Sequence, residues 1–431
     1  MVKVIPKVNQ YEILQGICEF PIQLTVSEGT GGQLPQHFAG LDGQLSQRSE
    51  GLDGQLPQRF EGMDGQLLKL FEERVRKLPG CEEFRVSETR EEAFLELVCE
   101  AMEEEAYQLK VTENHILLKA GNDHGFSNGL VTLFWLVAAS RDRQVECCRI
   151  EDRPGHGYRG FMLDVCRHFF PVDEVKRVLE QMALLKLDKF HFHLSDDQGF
   201  RIESRRFPEL NVIGSVRRET YGDGIPHGGF YTQEELRELV EYAAQRYIEV
   251  IPEIDLPGHT TAIIASYPEF SCSGKPAQVA TQFGIWQRIL CAGKEETYAF
   301  LEELLGEICG LFPSPYFHIG GDEAPKEEWT KCPDCGRVMR EQGYTDYEQL
   351  QAYFTGRLVD ILKKCGKQAI GWNETVYSGE LDPSCITQYW QDDKGESRTF
   401  CETAKGRKFI CSNTQNFYFD YPYATTPMKA T

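Results

Sequence analysis

The sequence is poor in positive charge. Its 46 Lys and Arg face 67 Asp and Glu, leaving a formal net charge of −21. A surface of that sign repels phosphate backbones and anionic lipid headgroups, so neither nucleic acid nor membrane is expected as a partner. A neutral ligand such as a sugar is compatible with it. Long apolar runs are also missing: the longest, near 130–139, is far too short to span a bilayer. Residues 1–10 lack the apolar stretch of a secretory signal, and the expectation is of a chain without one. No HExxH, P-loop or dinucleotide fingerprint occurs, so no cofactor is expected. Cysteine pairs at metal spacing are scarce too. Cys332 and Cys335 form one C-x-x-C without a second, which predicts a loop thiol pair and no metal site. The 15 cysteines are an odd number, and Cys99, Cys166 and Cys309 sit within apolar patterns where thiols behave as small hydrophobes. These features predict a reducing, cytoplasmic setting; self-association into a homo-oligomer is compatible with everything above.

What the chain does contain divides into two parts. Residues 1–152 read as a small α+β domain with a flexible insertion at about 31–67. There Gly32-Gln33-Leu34 recurs as Gly43-Gln44-Leu45, Gly54-Gln55-Leu56 and Gly65-Gln66-Leu67, every eleven residues. Glycine and proline in the copies disfavour helix, and the apolar content is too thin for a core. Around the insertion, 91–102 is helical by pattern, 106–118 alternates like a hairpin, and 127–139 is an apolar helix. Asp152-Arg153-Pro154-Gly155 punctuates the chain.

From Tyr158 onward strands and helices alternate. Strands are predicted at 160–165, 190–194, 249–254, 316–320, 369–372, 386–390 and 408–412, with helices between them. One helix opens with the capping box Thr232 to Glu235. Seven successive β/α units over 153–431 predict an α/β fold, a (β/α)8 barrel whose eighth unit is not visible.

Barrel active sites lie at the carboxyl ends of the strands. Those ends carry Asp164 and Arg167, Asp196 and Asp197, Glu253, Asp255 and His259, Asp322 and Glu323, Trp372 and Glu374, Trp390, then Tyr418 and Asp420. A single strand-end carboxylate commonly caps a helix or pairs with arginine. Carboxylates or aromatic rings at all seven ends suit glycoside cleavage, which needs a proton donor for the leaving oxygen and flat faces against the sugar. His191 and His193, two apart on one strand, face the same way and suit a barrel-core or site-rim place better than a metal.

The stretches GYRGFMLDVCRHFFPVDEVKRVL, KFHFHLSDDQGFRIES, GGFYTQEEL, VIPEIDLPGH, FHIGGDEAP, IGWNE, QYW and FYFDYP resemble glycoside hydrolase family 20, the β-N-acetylhexosaminidases, in order and spacing. EAYQLKVTENHILLKA and GFSNGLVTLFWL resemble the small domain preceding that family's barrel. The resemblance implies exo-acting release of terminal β-linked N-acetylglucosamine or N-acetylgalactosamine from amino-sugar oligosaccharides or glycoconjugates. It implies a retaining, substrate-assisted route through an oxazolinium intermediate. Glu323 would be acid and base, and Asp322 would hold the acetamido N–H. Tyr418 would donate to the acetamido oxygen. Arg167 and Asp420 would bind ring hydroxyls, and Trp372 and Trp390 would wall the acetamido pocket. His259, with Asp196 in preference to Asp197, would tune Glu323.

Neighbouring residues in extended chain project oppositely, which lets Asp322 and Glu323 take unlike roles. Their proximity predicts a protonated Glu323 beside an ionised Asp322. Two departures stand out. Phe192 and Phe200 replace the family's usual tryptophans. The family's eighth strand, with a Trp-x-Glu element, has no counterpart after Asp420, where the chain reads YPYATTPMKAT. The expectation is an open barrel, a fragment, or a barrel whose missing part a partner supplies, with an inactive sugar-binding remnant or fragment, or a lacto-N-biosidase, as alternatives.

Overall fold

The structure, a computed structural model, describes residues 5–28, 65–89, 93–377, 382–391 and 406–420. It divides into two compact units. The first comprises Met1–Arg159 with Gln181–Lys186 and Gln245–Tyr247, and the second is the remainder. The predicted insertion lies outside the described residues up to 64. Its last copy does not continue the low-complexity pattern: Gly65-Gln66-Leu67 opens helix α1 (Gly65–Val75), which buries Leu67, Leu68, Leu70 and Phe71.

The first unit is built on a seven-stranded mixed sheet. Its strands are β1 (Gln10–Glu19), β2 (Gln23–Glu28), β3 (Arg85–Glu88), β4 (Leu95–Cys99), β5 (Tyr107–Val111), β6 (Ile116–Ala120) and β7 (Gln144–Asp152), in the order β1-β7-β5-β6-β4-β2-β3. Helix α2 (Asp123–Ala139) is capped by Asn122, whose side chain accepts from Gly125 N–H at 2.8 Å. The helix expected at 91–102 is not formed. Its centre is β4, paired in parallel with both β2 and β6. The surrounding glutamates favour helix locally, but Leu95 and Leu97 alternate into the core (0% and 2% exposed), and a central place in the sheet outweighs that propensity. The hairpin, β5 with β6, is antiparallel as expected.

The second unit carries β8 (Gly160–Asp164), β9 (Lys189–His193), β14 (Glu249–Glu253), β15 (Tyr316–His318), β16 (Gln368–Trp372), β17 (Ile386–Tyr389) and β18 (Phe409–Cys411). Two short hairpins, β10 (Ser195–Asp196) with β11 (Gly199–Phe200) and β12 (Val216–Arg217) with β13 (His227–Gly228), elaborate the connection from β9 to β14. The seven long strands are all parallel and lie in sequence order β8-β9-β14-β15-β16-β17-β18, the arrangement of consecutive units of a (β/α)8 barrel. Among the described residues β8 and β18 are the edges of this sheet. The intervening helices include α3 (Val172–Leu184), α4 (Gln233–Ala244), α5 (Glu295–Cys309), α6 (Pro333–Gln342) and α7 (Tyr347–Lys364). The capping box at the start of α4 is present: Glu235 N–H donates to Thr232 Oγ1 at 3.1 Å, and Thr232 N–H to Glu235 Oε2 at 2.8 Å. Asp346 and Gln349 make the equivalent box on α7.

Register decides what lies at the sheet's functional end. Asp164 pairs with His193, His193 with Glu253, and Glu253 with His318. The last residues of four adjacent strands therefore form one lateral polar row.

Candidate active site

That row is a buried hydrogen-bonded network. Glu253, fully buried at the end of β14, sits 2.6 Å from His193 Nδ1, 2.8 Å from His191 Nε2 and 3.1 Å from His318 Nδ1. It also accepts the indole N–H of Trp372 at 2.9 Å. Burial alone would raise the Glu253 carboxyl, but the imidazoles of His193, His318 and His191 hold it well below the usual carboxylate range. His193 is likewise opposed by burial and held well above its ordinary value by Glu253 and Asp196. His318 goes the other way, lowered to about 4 by burial.

One strand-end over, Arg167 Nη1 donates to Asp164 at 2.8 Å and Nη2 lies 2.8 Å from Asp196. Burial works against the guanidinium charge, and these two carboxylates more than restore it. Its Nε has no partner in the protein. Asp196 is thus already engaged with Arg167 and, at 2.8 Å, with His193.

The expected choice of Asp196 over Asp197 as the partner of His259 therefore needs adjustment. His259 Nδ1 lies 3.0 Å from Asp197 Oδ2 and 3.3 Å from Asp196 Oδ1, so Asp197 is the nearer partner and Asp196 a shared neighbour. Asp197 is itself fixed by Thr261, whose N–H donates at 2.9 Å. The other imidazole nitrogen, His259 Nε2, lies 3.4 Å from Glu323 Oε2 and 3.7 Å from Asp322 Oδ2. Burial disfavours its proton, but Asp196, Asp197 and Glu323 hold His259 well above its ordinary value.

Asp322 and Glu323 follow β15 on a backbone that only glycine permits. Gly320 adopts φ +65°, and a Cβ there would stand 1.7 Å from Asp255 Oδ1. This closeness lets Gly321 N–H donate to Asp255 at 3.0 Å. Glu323 also takes a positive φ, +44°, an uncommon strain in a non-glycine residue that re-aims its side chain. The Asp322 carboxylate is mostly enclosed, with Oδ1 lacking a protein partner. Burial raises the Asp322 carboxyl, against the charge of His259 and a hydrogen bond from Asp255. Asp255, raised by burial and by Asp322, is the protonated member of that pair.

Trp372 ends β16, is buried, and packs edgewise on Trp390 with centroids 6.3 Å apart. Trp390 in turn stacks with Tyr418 at 6.3 Å and 26°. The Trp390 indole N–H reaches both oxygens of Glu374, at 3.0 and 3.1 Å. Burial, joined by the Asp322 charge, pushes Glu374 up to about 8. Tyr418 is raised by burial and then by Asp322. Asp420 is exposed, beyond the short helix Thr414–Phe417. The structure thus brings Arg167, Asp196, His259, Asp322, Glu323, Trp372, Trp390 and Tyr418 into one linked set and leaves Asp420 at its margin. Sequence reasoning placed Glu253, Asp255 and Glu374 at strand ends without assigning them work. The alternation of His191 and His193 on one face was the available signal for the Glu253 network. Phe192 and Phe200, in place of the usual tryptophans, are fully buried core rings.

A second cluster of potential ligands lies apart from these acids. Cys272, Cys291, Cys332 and Cys335 bring their sulfurs within 4.8 Å of one another. The expected isolated loop pair is thereby corrected: Cys335 lies inside α6, Cys332 is its cap, and two single cysteines from distant sequence join them.

Comparison with known proteins agrees with this arrangement. Residues 156–431 match the catalytic domain of glycosyl hydrolase family 20, and residues 1–153 match domain 2 of that family. A β-hexosaminidase of Porphyromonas gingivalis is 40% identical over 302 residues, which are 68% of this chain and 38% of that protein. One from Akkermansia muciniphila is 38% identical over 327 residues, 74% of this chain and 66% of that protein. The chain therefore spans only between about two fifths and two thirds of the length of these relatives. Among solved structures, a β-N-acetylhexosaminidase from Bacteroides fragilis superimposes with a TM-score of 0.80 at 30% identity, covering 99% of this chain and 78% of that one. An exo β-N-acetylglucosaminidase from Vibrio harveyi in complex with N-acetylglucosamine gives 0.77 at 29% identity, covering 96% and 61%. With a catalytic-domain match over most of its length and the acids of that domain gathered at the strand ends, the chain belongs to glycosyl hydrolase family 20.

Proposed function

We propose that this chain is an exo-acting β-N-acetylhexosaminidase that hydrolyses terminal β-linked N-acetylglucosamine or N-acetylgalactosamine with retention. The observation that carries the reading is the contiguous Asp322-Glu323 pair, one carboxylate enclosed and unpartnered on one oxygen, the other half-open and backed by the His259–Asp197 relay. In the proposed reaction the acetamido oxygen of the substrate attacks its own anomeric carbon. The glycosidic bond breaks as Glu323 gives its proton to the leaving oxygen, and an oxazolinium ion forms. Glu323, now a carboxylate, takes a proton from water as the water opens that ring, returning both sugar and enzyme to their starting protonation. Asp322 would accept the acetamido N–H and stabilise the positive ring. The linked rings of Trp372, Trp390 and Tyr418 would enclose the acetamido methyl, with the Tyr418 hydroxyl donating to its oxygen. Arg167 would bind ring hydroxyls, and Asp420 would do so from the margin.

We further infer a reducing, cytoplasmic setting: all fourteen described cysteines are unbonded. Among the described residues no helix is long and apolar enough to cross a membrane.

The test is hydrolysis of an aryl N-acetyl-β-glucosaminide by the full chain, Glu323→Gln and Asp322→Asn. Expected losses are on the order of 10²–10⁴-fold in kcat for removing a positioned proton donor, and the matching aryl glucoside should turn over far more slowly. Equal rates on the two substrates would refute substrate assistance. No turnover above the Glu323→Gln background would refute the hydrolase reading for this chain.

A further inference from the structure

We propose that Cys272, Cys291, Cys332 and Cys335 form a structural zinc site that ties together the two loops carrying the catalytic acids and their histidine. The four sulfurs lie within 4.8 Å of one another, with contacts of 3.8 Å between Cys272 and Cys335 and 3.7 Å from Cys291 to both Cys332 and Cys335. Zinc bound tetrahedrally by four thiolates at about 2.3 Å requires sulfurs separated by about 3.8 Å. The observed contacts match that edge length. An all-sulfur tetrahedral set is selective for soft, tetrahedrally bound ions, and its four protein ligands close the coordination sphere as structural sites do.

The backbone is built to deliver these sulfurs. Ser271 and Leu290 form an isolated antiparallel bridge, and Cys291 N–H donates to Phe270 O at 2.8 Å, so Cys272 and Cys291 arrive side by side. The other two come from the first turn of α6, where Gly336 N–H donates to Cys332 O at 2.9 Å. Gly293 allows the halves to meet: a Cβ there would stand 2.2–2.3 Å from the backbone of Asp334 and Cys335. Arg337 donates across the same junction to Gly293 O at 2.8 Å, and Lys294 holds the carbonyls of Glu269 and Ser271, the latter at 2.7 Å. Cys291 and Cys335 are fully buried, Cys332 is 6% exposed, and Cys272 is half-buried. Simple apolar packing of thiols would explain burial. It does not explain the convergence of four from three chain segments on a common centre.

The position has a consequence for the acids. Cys272 and Cys291 belong to the long excursion after β14 that includes His259, whereas Cys332 and Cys335 follow Glu323 after β15. Leu290, beside Cys291, donates to Pro257 O at 3.1 Å and accepts from the buried Trp329 indole at 2.9 Å. Through these bonds a metal at the four sulfurs would hold the His259 loop against the Asp322-Glu323 loop. The four cysteines are positioning residues in that scheme. Only their effect on turnover rests on the hydrolase reading; metal content does not.

The full chain is purified under reducing conditions with neither chelator nor added metal, and its metal is measured by elemental analysis. A chromogenic zinc indicator follows release when a mercurial blocks the thiols. About one zinc per chain is expected, released only as the thiols are blocked. Cys332→Ser with Cys335→Ser should lose it, and Cys99→Ser should retain it. Should the double variant fail to fold, wild-type chain stripped and refilled with Co²⁺ decides alone, through the intense near-ultraviolet absorption of a cobalt tetrathiolate. Background metal with no cobalt signature, a mass lowered by two disulfides, or iron in place of zinc would each overturn the assignment. With the metal removed, turnover of the aryl substrate is expected to fall while metal content is scored separately. Loss of turnover in a zinc-loaded chain would therefore count against the hydrolase reading alone.

Discussion

Glu253→Gln probes the network beneath the acids. The substitution keeps the volume and an acceptor for the Trp372 indole but removes the charge facing His191, His193 and His318 at 2.6–3.1 Å. Breaking a buried ion pair by neutralising one partner costs about 3–5 kcal/mol, and His193, which keeps Asp196 at 2.8 Å, loses the larger of its counter-charges. At roughly 2–4 °C per kcal/mol for a unit of this size, the thermal midpoint should fall by roughly 6–20 °C. The dependence on pH has a definite sign. Glu253 is depressed in the folded state, so its contribution is present above its unfolded value near 4.5 and lost as pH falls through its lower folded one. His193 is raised, so its contribution is complete below 6.5 and lost as pH climbs through its higher folded value. Both act fully only between about 4.5 and 6.5. The gap between wild type and variant should be widest there and narrow toward alkaline pH. Tryptophan fluorescence is a suitable probe because Trp286, Trp329, Trp372 and Trp390 all lie in the second unit. A midpoint shift under about 2 °C at pH 5.5, or a gap that widens toward pH 9, would refute the network's role.

Glu374, raised from 4.5 to about 8 by burial and Asp322, should make the wild type lose stability as pH rises between those values, by at most about 1.4 kcal/mol per pH unit. Glu374→Gln should flatten that slope in denaturant titrations, and an unchanged slope would discredit the assignment. Gly320→Ala combines a left-handed backbone, costing about 1–2 kcal/mol, with a Cβ placed 1.7 Å from Asp255, costing about 1–3 more. Urea unfolding of that variant should show a loss on the order of 2–5 kcal/mol, and wild-type stability would contradict the geometry.

Patterning along the chain was sufficient for the seven parallel strands, the capping box at Thr232 and the apolar helix ending at Ala139. Each of these is set by residues a few positions apart, through alternation, helical periodicity or a local hydrogen bond. The strand-end residues were legible for the same reason, since a barrel places every such end on one face. The small domain was less readable. Leu95 to Cys99 looks helical among its glutamates, and becomes a strand only because β2 and β6 flank it.

What the linear sequence could not contain is which strand ends meet and at what distance. Glu253 joins three histidines from the two strands beside it because register brings the last residues of β9, β14 and β15 level. Asp197 comes nearer than Asp196 to His259, a difference of 3.0 against 3.3 Å that two adjacent aspartates in sequence do not reveal. Asp322 rises in pKa because enclosure strips its water, a property no spacing reveals. The cysteines show the limit most plainly: Cys332 and Cys335 are two positions in a motif, while Cys272 and Cys291 join them only through a bridge at Ser271 and a turn at Gly293. Local order follows from neighbours in sequence. The acid network and the sulfur cluster follow from neighbours in space.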